Sequence, residues 1–452
     1  MQSGSFSKVM AALNGAHAKR YFVNSGWLMF SQGAGLFLFF IVGVLVARFL
    51  GPSRYGQISY YIALLGFFTA PIGLGDVGVV TRELVRARDD AARVNKIMGT
   101  ALGARAAGTV IAFSAFLAYL FFVPREAGDM GIGILVGAAI LFYPLDVIKF
   151  YYKGKVRGKY AAVPEMGGVL ASSAWQVAGI AAAFPLLWFA AGNLLKAGFT
   201  ALLLVFFFRL HGQRLGDWRF CSAELKIIVK DSFPMLFAGF FAVIYLQIDQ
   251  VMIKHILGNH AVGIYNSAVR VATGFYFIPI VLTQALFPAI VRAKDISPVL
   301  YQTRLKACLA LIAGLSYLFM LPIVLNASFV VHFLFGDSYS AAGPILGILG
   351  ISTMFVFLGQ PRGAWLVNER LTFFNLVSNI LAAGLNIILN YFWIPRWGGM
   401  GAAWATLISY FMAFVGLGLF FKKIRPIAAL QIKGLLIVPF FPELKAVFKQ
   451  SA

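Results

Sequence analysis

Five charged side chains interrupt otherwise apolar stretches of this 452-residue chain: the cations Arg105, Lys196 and Arg270, and the carboxylates Asp76 and Asp249. Asp146 and Glu165 come close to the same description. An ionised group in such surroundings is unfavourable, and it commonly marks an ion or substrate path. The residue types narrow the chemistry. Guanidinium and ammonium groups spaced along a path offer charge-assisted hydrogen bonds to phosphate. Asp249 lies in "YLQIDQVMIKHILGN" (245–259), beside Gln247, Gln250 and Lys254. It suits a gate, or a site that takes up a proton or a sodium ion.

The elements that must hold these groups follow from composition. The chain is 60% hydrophobic and 12% charged, where a soluble domain carries roughly a quarter charged residues. Runs of about 20 apolar residues are long enough to cross a bilayer as helix. Twelve are predicted, at 22–47, 57–80, 97–123, 130–151, 161–184, 186–208, 233–256, 262–291, 304–327, 342–366, 371–394 and 400–421. "FVVHFLFG" (329–336) is too short to cross, and the tail 422–452, interrupted by Pro439 and Pro442, reads as interfacial. The expected fold is therefore an all-α integral membrane protein of two six-helix lobes, 1–208 and 233–421, joined by a cytoplasmic linker at 209–232.

Charge placement sets the orientation. With both termini in the cytoplasm, 30 of the 38 Lys and Arg fall in inside segments and 5 in outside loops. That bias obeys the positive-inside rule. It also accounts for the net charge of +22 as loops facing anionic lipid headgroups rather than a nucleic-acid surface. The outside loops are too short for a catalytic domain, so no enzyme activity is expected. Cys221 and Cys308 suggest neither a disulfide framework nor a metal site. No G-x-x-x-x-G-K-[ST] loop is present, which excludes an ATP-driven pump in this chain. The first apolar run is too long for a cleavable signal, and no cofactor is implied.

An internal repeat joins the two predicted lobes. "IVGVLVARFLGPSRYGQISYYIAL" (41–64) aligns without gaps with "IDQVMIKHILGNHAVGIYNSAVRV" (248–271), sharing L-G-x-x-x-x-G at equivalent loops. The glycines predict a tight turn between antiparallel helices. Six spans per lobe make the repeats parallel, and transporters so built bind substrate between their halves. Asp249 pairs with Val42 in this alignment, so the acid breaks the internal symmetry.

"LGPSRYGQISYYIALLGFFTAPIGLGDVGVVTRELVR" (50–86), "QIDQVMIKHILGNHAVGIYNSAVRV" (247–271) and "NIILNYFWIPRWGGMGAAWATLISY" (386–410) resemble the bacterial polysaccharide-biosynthesis flippases of O-antigen and exopolysaccharide repeat units. Their superfamily also holds the lipid II flippase and the MATE drug exporters. The resemblance implies a two-lobed exporter of the bacterial plasma (inner) membrane. Its substrate would be an undecaprenyl-diphosphate-linked oligosaccharide, moved from the cytoplasmic to the outer leaflet and driven by an ion gradient (H+ or Na+) or the membrane potential. Polysaccharide polymerase and export machinery are the partners it implies, besides membrane lipids. In the lipid II flippase an arginine on the eighth span contacts the diphosphate, a role that would fall to Arg270. That relative also has first-span arginines; here the first span holds Asn24 and Gln32, and no arginine precedes Arg48 within it.

At 1.5 Å per residue, Arg270 and Asp249 lie roughly 12 and 10 Å from the outer ends of their spans, Lys196 near the middle, and Arg105 about 12 Å from the inner face. The three cations are thus candidate diphosphate contacts; Asp249 and Asp76 are candidates for gating or ion coupling. Plainer readings stand beside these. Asp249 and Arg270 fit a static ion pair, and Lys196 could snorkel. Arg105 could reach headgroups. Asp76 and Asp146 suit helix-end partners for Arg82 and Lys149. Asn386, Asn390 and Trp393 suit interhelical hydrogen bonding. A MATE-like exporter of small organic cations is the alternative function.

Overall fold

The computed structural model describes residues 16–73, 77–87, 90–123 and 129–436. Every described secondary-structure element is helical. A bilayer supplies no water to backbone groups, and a helix satisfies them within its own segment. In chain order the α-helices are α1 (Ala16–Thr69), α2 (Val77–Arg86), α3 (Ala91–Phe122), α4 (Asp129–Ala138), α5 (Val147–Gly154), α6 (Lys159–Ala181) and α7 (Leu186–Leu210). There follow α8 (Ser222–Thr273), α9 (Phe277–Ile296), α10 (Pro298–Leu325), α11 (Ala327–Phe335), α12 (Ala342–Asn368), α13 (Thr372–Phe411), α14 (Leu417–Phe420) and α15 (Arg425–Leu435). Eight helical stretches are long and apolar enough to cross a membrane. Three of them contain a glycine with non-helical backbone, at Gly51 in α1, Gly258 in α8 and Gly398 in α13. α6 has the length of a span, at 23 residues, but is less apolar than the eight.

The described chain forms two compact units. Unit 1 comprises the chain up to Val42 and Phe68–Leu236; unit 2 comprises Gly43–Phe67 and Phe237 onward. In unit 1, α6 and α7 form a close hairpin. A Cβ at Gly168 would meet Thr200 Oγ1 and the Lys196 carbonyl, so glycine is what lets the helices approach. Trp175 and Trp188 clasp the hairpin, rings stacked at 3.5 Å. Each indole N–H donates to the other residue's carbonyl at 2.9 Å. Residues of the predicted linker pack onto this unit: Trp218 against Phe208, and Cys221 N donating to Thr100 Oγ1 at 2.9 Å.

Unit 2 contains the glycine motifs of both repeated segments and shows what each glycine does. Gly51 and Gly258, equivalent at an offset of 207 residues, both take positive φ, +73° and +84°. This is the torsional role the sequence predicts for the turn. The second glycine of each motif serves close approach instead. A Cβ at Gly56 would fall on the Asn259 carbonyl and Gly263 N, and a Cβ at Gly263 on the Pro52 carbonyl. Pro52 and Asn259 are themselves equivalent in the alignment. The contacts are therefore reciprocal, as a local two-fold between the repeats requires. Elsewhere in unit 2, α15 is docked, with Ile427, Ala428 and Gln431 buried and Tyr317 OH donating to the Leu435 carbonyl at 2.9 Å.

Candidate functional site

Asp249 is 3% exposed. Two helices that turn at glycines supply its surroundings. Asp249 and Tyr265 stand on either side of Gly258 in α8; Asn390 and Thr406 stand on either side of Gly398 in α13. Tyr265 OH donates to Oδ2 at 2.7 Å and Thr406 Oγ1 to the same oxygen at 2.5 Å. Asn390 Nδ2 donates to Oδ1 at 2.5 Å and to Asn386 Oδ1 at 3.0 Å. Tyr265, Asn386, Asn390 and Thr406 are all buried. These partners are neutral, and Arg270 is not among them, so the Asp249–Arg270 ion pair is not formed. A buried carboxylate held by neutral groups needs a proton or a metal cation to balance its charge. The carboxylate and the Thr406 hydroxyl are oxygen groups of the kind a hard cation takes, while Asn390 presents its amide nitrogen to the carboxylate. Asn390 Oδ1 has no hydrogen-bond partner.

The three predicted cations share a feature that sequence reading missed: each lies over an aromatic ring. In unit 2, Arg270 is 5.7 Å from the Tyr55 ring centroid and donates from Nε to Tyr55 OH at 2.8 Å. A Cβ at Gly43 would occupy the guanidinium's place, so the glycine makes room for it. In unit 1, Lys196 Nζ is 5.2 Å from the Phe39 ring. Arg105, also in unit 1, lies 5.3 Å from the Phe150 ring and donates to the Tyr143 carbonyl at 3.4 Å. Asp76 lies outside the described residues.

Ion pairs claim several of the other charges of unit 1. Lys149 sits between Asp146 and Glu165, at 2.9 Å from each, so Asp146 is the helix-end partner anticipated for it. Buried Glu83 accepts from Arg82 at 3.2 Å, Arg86 at 2.9 Å and Arg93 at 3.4 Å. Arg93 also reaches Glu224 at 3.1 Å, and Arg82 pairs with Asp231. That contact raises the affinity of the Arg82 guanidinium for its proton above the ordinary value.

Arg362, counted among the 30 inside charges although it falls near the end of the predicted span 342–366, is 1% exposed within α12 and donates to Ser378 Oγ at 2.9 Å. α12 continues past Pro361 to Asn368. Gln431 of α15 donates to the Leu358 carbonyl in the turn that Pro361 loosens, at 2.9 Å.

The family model described as polysaccharide biosynthesis protein matches residues 22–294. A second model, MatE, matches residues 234–392. A putative O-antigen transporter of Shigella flexneri is 23% identical over 409 residues, covering 84% of this chain and 92% of that protein. A capsular polysaccharide biosynthesis protein of Staphylococcus aureus, CapF, is 22% identical over 45% of this chain and 51% of its own. Among solved structures, the lipid II flippase MurJ in an inward closed conformation superposes with TM-score 0.70 at 14% identity, covering 92% of this chain and 91% of that one. An inward-facing multidrug resistance MATE family transporter gives TM-score 0.67 at 15% identity, covering 88% and 95%. At such identities the structural likeness speaks for the fold.

Proposed function

Because the chain belongs to the polysaccharide biosynthesis protein family, we propose that it flips a polyprenyl-diphosphate-linked oligosaccharide from the cytoplasmic to the outer leaflet of the bacterial inner membrane. The observation that carries this reading is the near full-length similarity to an O-antigen transporter, joined to cations embedded in apolar helices. Division of three long helices at Gly51, Gly258 and Gly398, with α6 added to the eight apolar stretches, supports twelve spans. The charge bias supports both termini inside, with six-helix lobes on either side of the linker. Arg105, Lys196 and Arg270 are the proposed diphosphate contacts; each is held beside an aromatic face and can offer charge-assisted hydrogen bonds to phosphate. Asp249 is the proposed coupling site, taking up H+ or Na+; Asp76 is a second candidate on sequence alone. Alternating access would be driven by that ion gradient or by the membrane potential.

The MatE match over 234–392 favours a second reading, export of small organic cations. Proteoliposomes loaded with a fluorescent polyprenyl-diphosphate oligosaccharide separate the two. Arg270→Ala and Lys196→Ala should each slow translocation about tenfold, equivalent to ~1.4 kcal/mol in the barrier. Wild-type rates in both variants would remove the cationic path. Organic-cation efflux without lipid translocation would select the second reading.

A further inference from the structure

Unit 2 holds a partly open cavity of about 390 Å³ lined by Tyr245, Thr283, Gln284, Gln360, Asn375 and Asn379. It is separate from the Asp249 cluster: none of that cluster's residues lines it. We propose that this cavity is a subsite for an uncharged sugar ring of the transported glycan, read by amide side chains; the inference rests on the oligosaccharide reading above.

The wall chemistry carries the argument. None of the described residues lining the cavity is charged, which suits neither a diphosphate nor an organic cation. Arg362 shares a helix with Gln360 but is directed to Ser378. Four of the lining side chains are carboxamides, each offering a carbonyl acceptor and two N–H donors. That mixture matches vicinal hydroxyls, which both donate and accept. Asn379 is already fixed, donating to the Ala238 carbonyl at 3.1 Å. Thr283, 6% exposed, has a hydroxyl with no partner; a buried polar atom of this kind is unfavourable unless something fills the role. Tyr245 and Phe414, ring centroids 6.4 Å apart and nearly perpendicular, give the cavity an apolar side for a ring's C–H face. Phe414 comes from the π-helical turn Met412–Gly416, a local widening that often occurs at functional sites. The volume lies at the low end of ligand pockets, roughly 300–1,000 Å³, and so suits one or two pyranose rings.

Gly363 provides a direct test. It also lines the cavity, and a Cβ there would meet no atom within 4 Å. Gly363→Leu should therefore fill the space without displacing the helix. The purified chain in nanodiscs is titrated with the neutral disaccharide N,N′-diacetylchitobiose, with tetraphenylphosphonium and with inorganic diphosphate, each followed by NMR saturation transfer. Millimolar binding of the disaccharide alone is expected, weakened about tenfold in Gly363→Leu and several-fold in Thr283→Val. Undiminished disaccharide binding in both variants would overturn the subsite, as would Leu-sensitive binding of either charged probe. Translocation assays on the same proteins separate this from the function itself. Variant-sensitive sugar binding in a protein that flips no lipid-linked oligosaccharide would keep the subsite and sink the flippase. Wild-type flipping and sugar binding in Gly363→Leu would do the reverse.

Discussion

Lys149 in unit 1 and Asp249 in unit 2 are both withdrawn from water, and their neighbours treat them differently. Lys149 has a carboxylate on either side, Asp146 and Glu165. Asp249 has a tyrosine, a threonine and an asparagine. The lysine's charge is cancelled by fixed protein groups, so it stays charged and holds its helices. The aspartate's charge is not cancelled by the groups that bind it. Something mobile, a proton or a metal ion, must complete the site, and a site completed by a mobile ion can respond to a gradient. Unit 2 repeats the pattern with opposite sign at Arg362, whose hydrogen bond goes to the neutral Ser378. Charge compensation thus separates a structural ionic group from a candidate working one more sharply than burial does.

The strongest way to break this comparison is Asp249→Asn. The amide keeps the shape and still accepts from Tyr265 and Thr406, losing one bond at most, about 1 kcal/mol of stability. Ion-driven translocation should nonetheless fall by at least about tenfold, and its response to an imposed Na+ or H+ gradient should disappear. Normal, gradient-sensitive flipping by this variant would return Asp249 to a packing role.

A matched pair of substitutions sharpens the contrast on the stability side. Lys149→Met leaves Asp146 and Glu165 facing each other without their cation. A loss of about 1–3 kcal/mol is expected, below the range for a wholly buried pair because Glu165 is half exposed. Arg362→Met removes a cation that no carboxylate neutralises, and an apolar side chain of similar length should leave Tm unchanged or raise it. Melting curves in the same detergent decide the matter. Equal drops for both variants would show that compensation does not distinguish them.

Local features of this molecule were legible in the sequence; side-chain pairings across helices were not. The turn glycines Gly51 and Gly258 could be read because positive φ is a property of one residue and its neighbours. The helical architecture could be read because apolar runs of spanning length leave the backbone little choice. Asp249 and Arg270 stand out in the sequence as charges in apolar runs, and their pairing was inferred from similar depth. Depth fixes height along a helix, not the face a side chain takes. Rotation and the breaks at Gly258 and Gly398 turned Asp249 toward Tyr265 and Thr406, and Arg270 toward Tyr55. The aromatic seats of Arg105, Lys196 and Arg270 were hidden among 45 phenylalanines and 17 tyrosines, nearly all plausible as lipid contacts. Arg362 was counted with the inside charges because its burial depends on Ser378, a partner on the next helix that periodicity does not reveal.

The smallest expected effect comes from a compensated pair in unit 2, Lys294–Glu369, which checks that such pairs behave as structure wherever they occur. Glu369 follows α12 and accepts from Lys294 at 2.7 and 2.8 Å and from Tyr301 at 2.8 Å. Burial pushes its carboxyl upward, but the hydrogen bonds from Lys294 and Tyr301 and the Lys294 charge outweigh that and hold it below the usual carboxylate value of 4.5. A depressed carboxyl contributes stability that is complete above its unfolded value and is lost as pH falls through its folded one. The window is therefore acidic, roughly pH 5 to 3. Glu369→Gln should lower stability at neutral pH by less than about 1 kcal/mol, since Lys294 is exposed to solvent and salt. The gap between wild type and variant should close as pH falls across that window, while translocation at neutral pH stays within about twofold. Parallel melting curves across the window would mean that this pair contributes nothing, and that charge compensation at this helix end is incidental to stability.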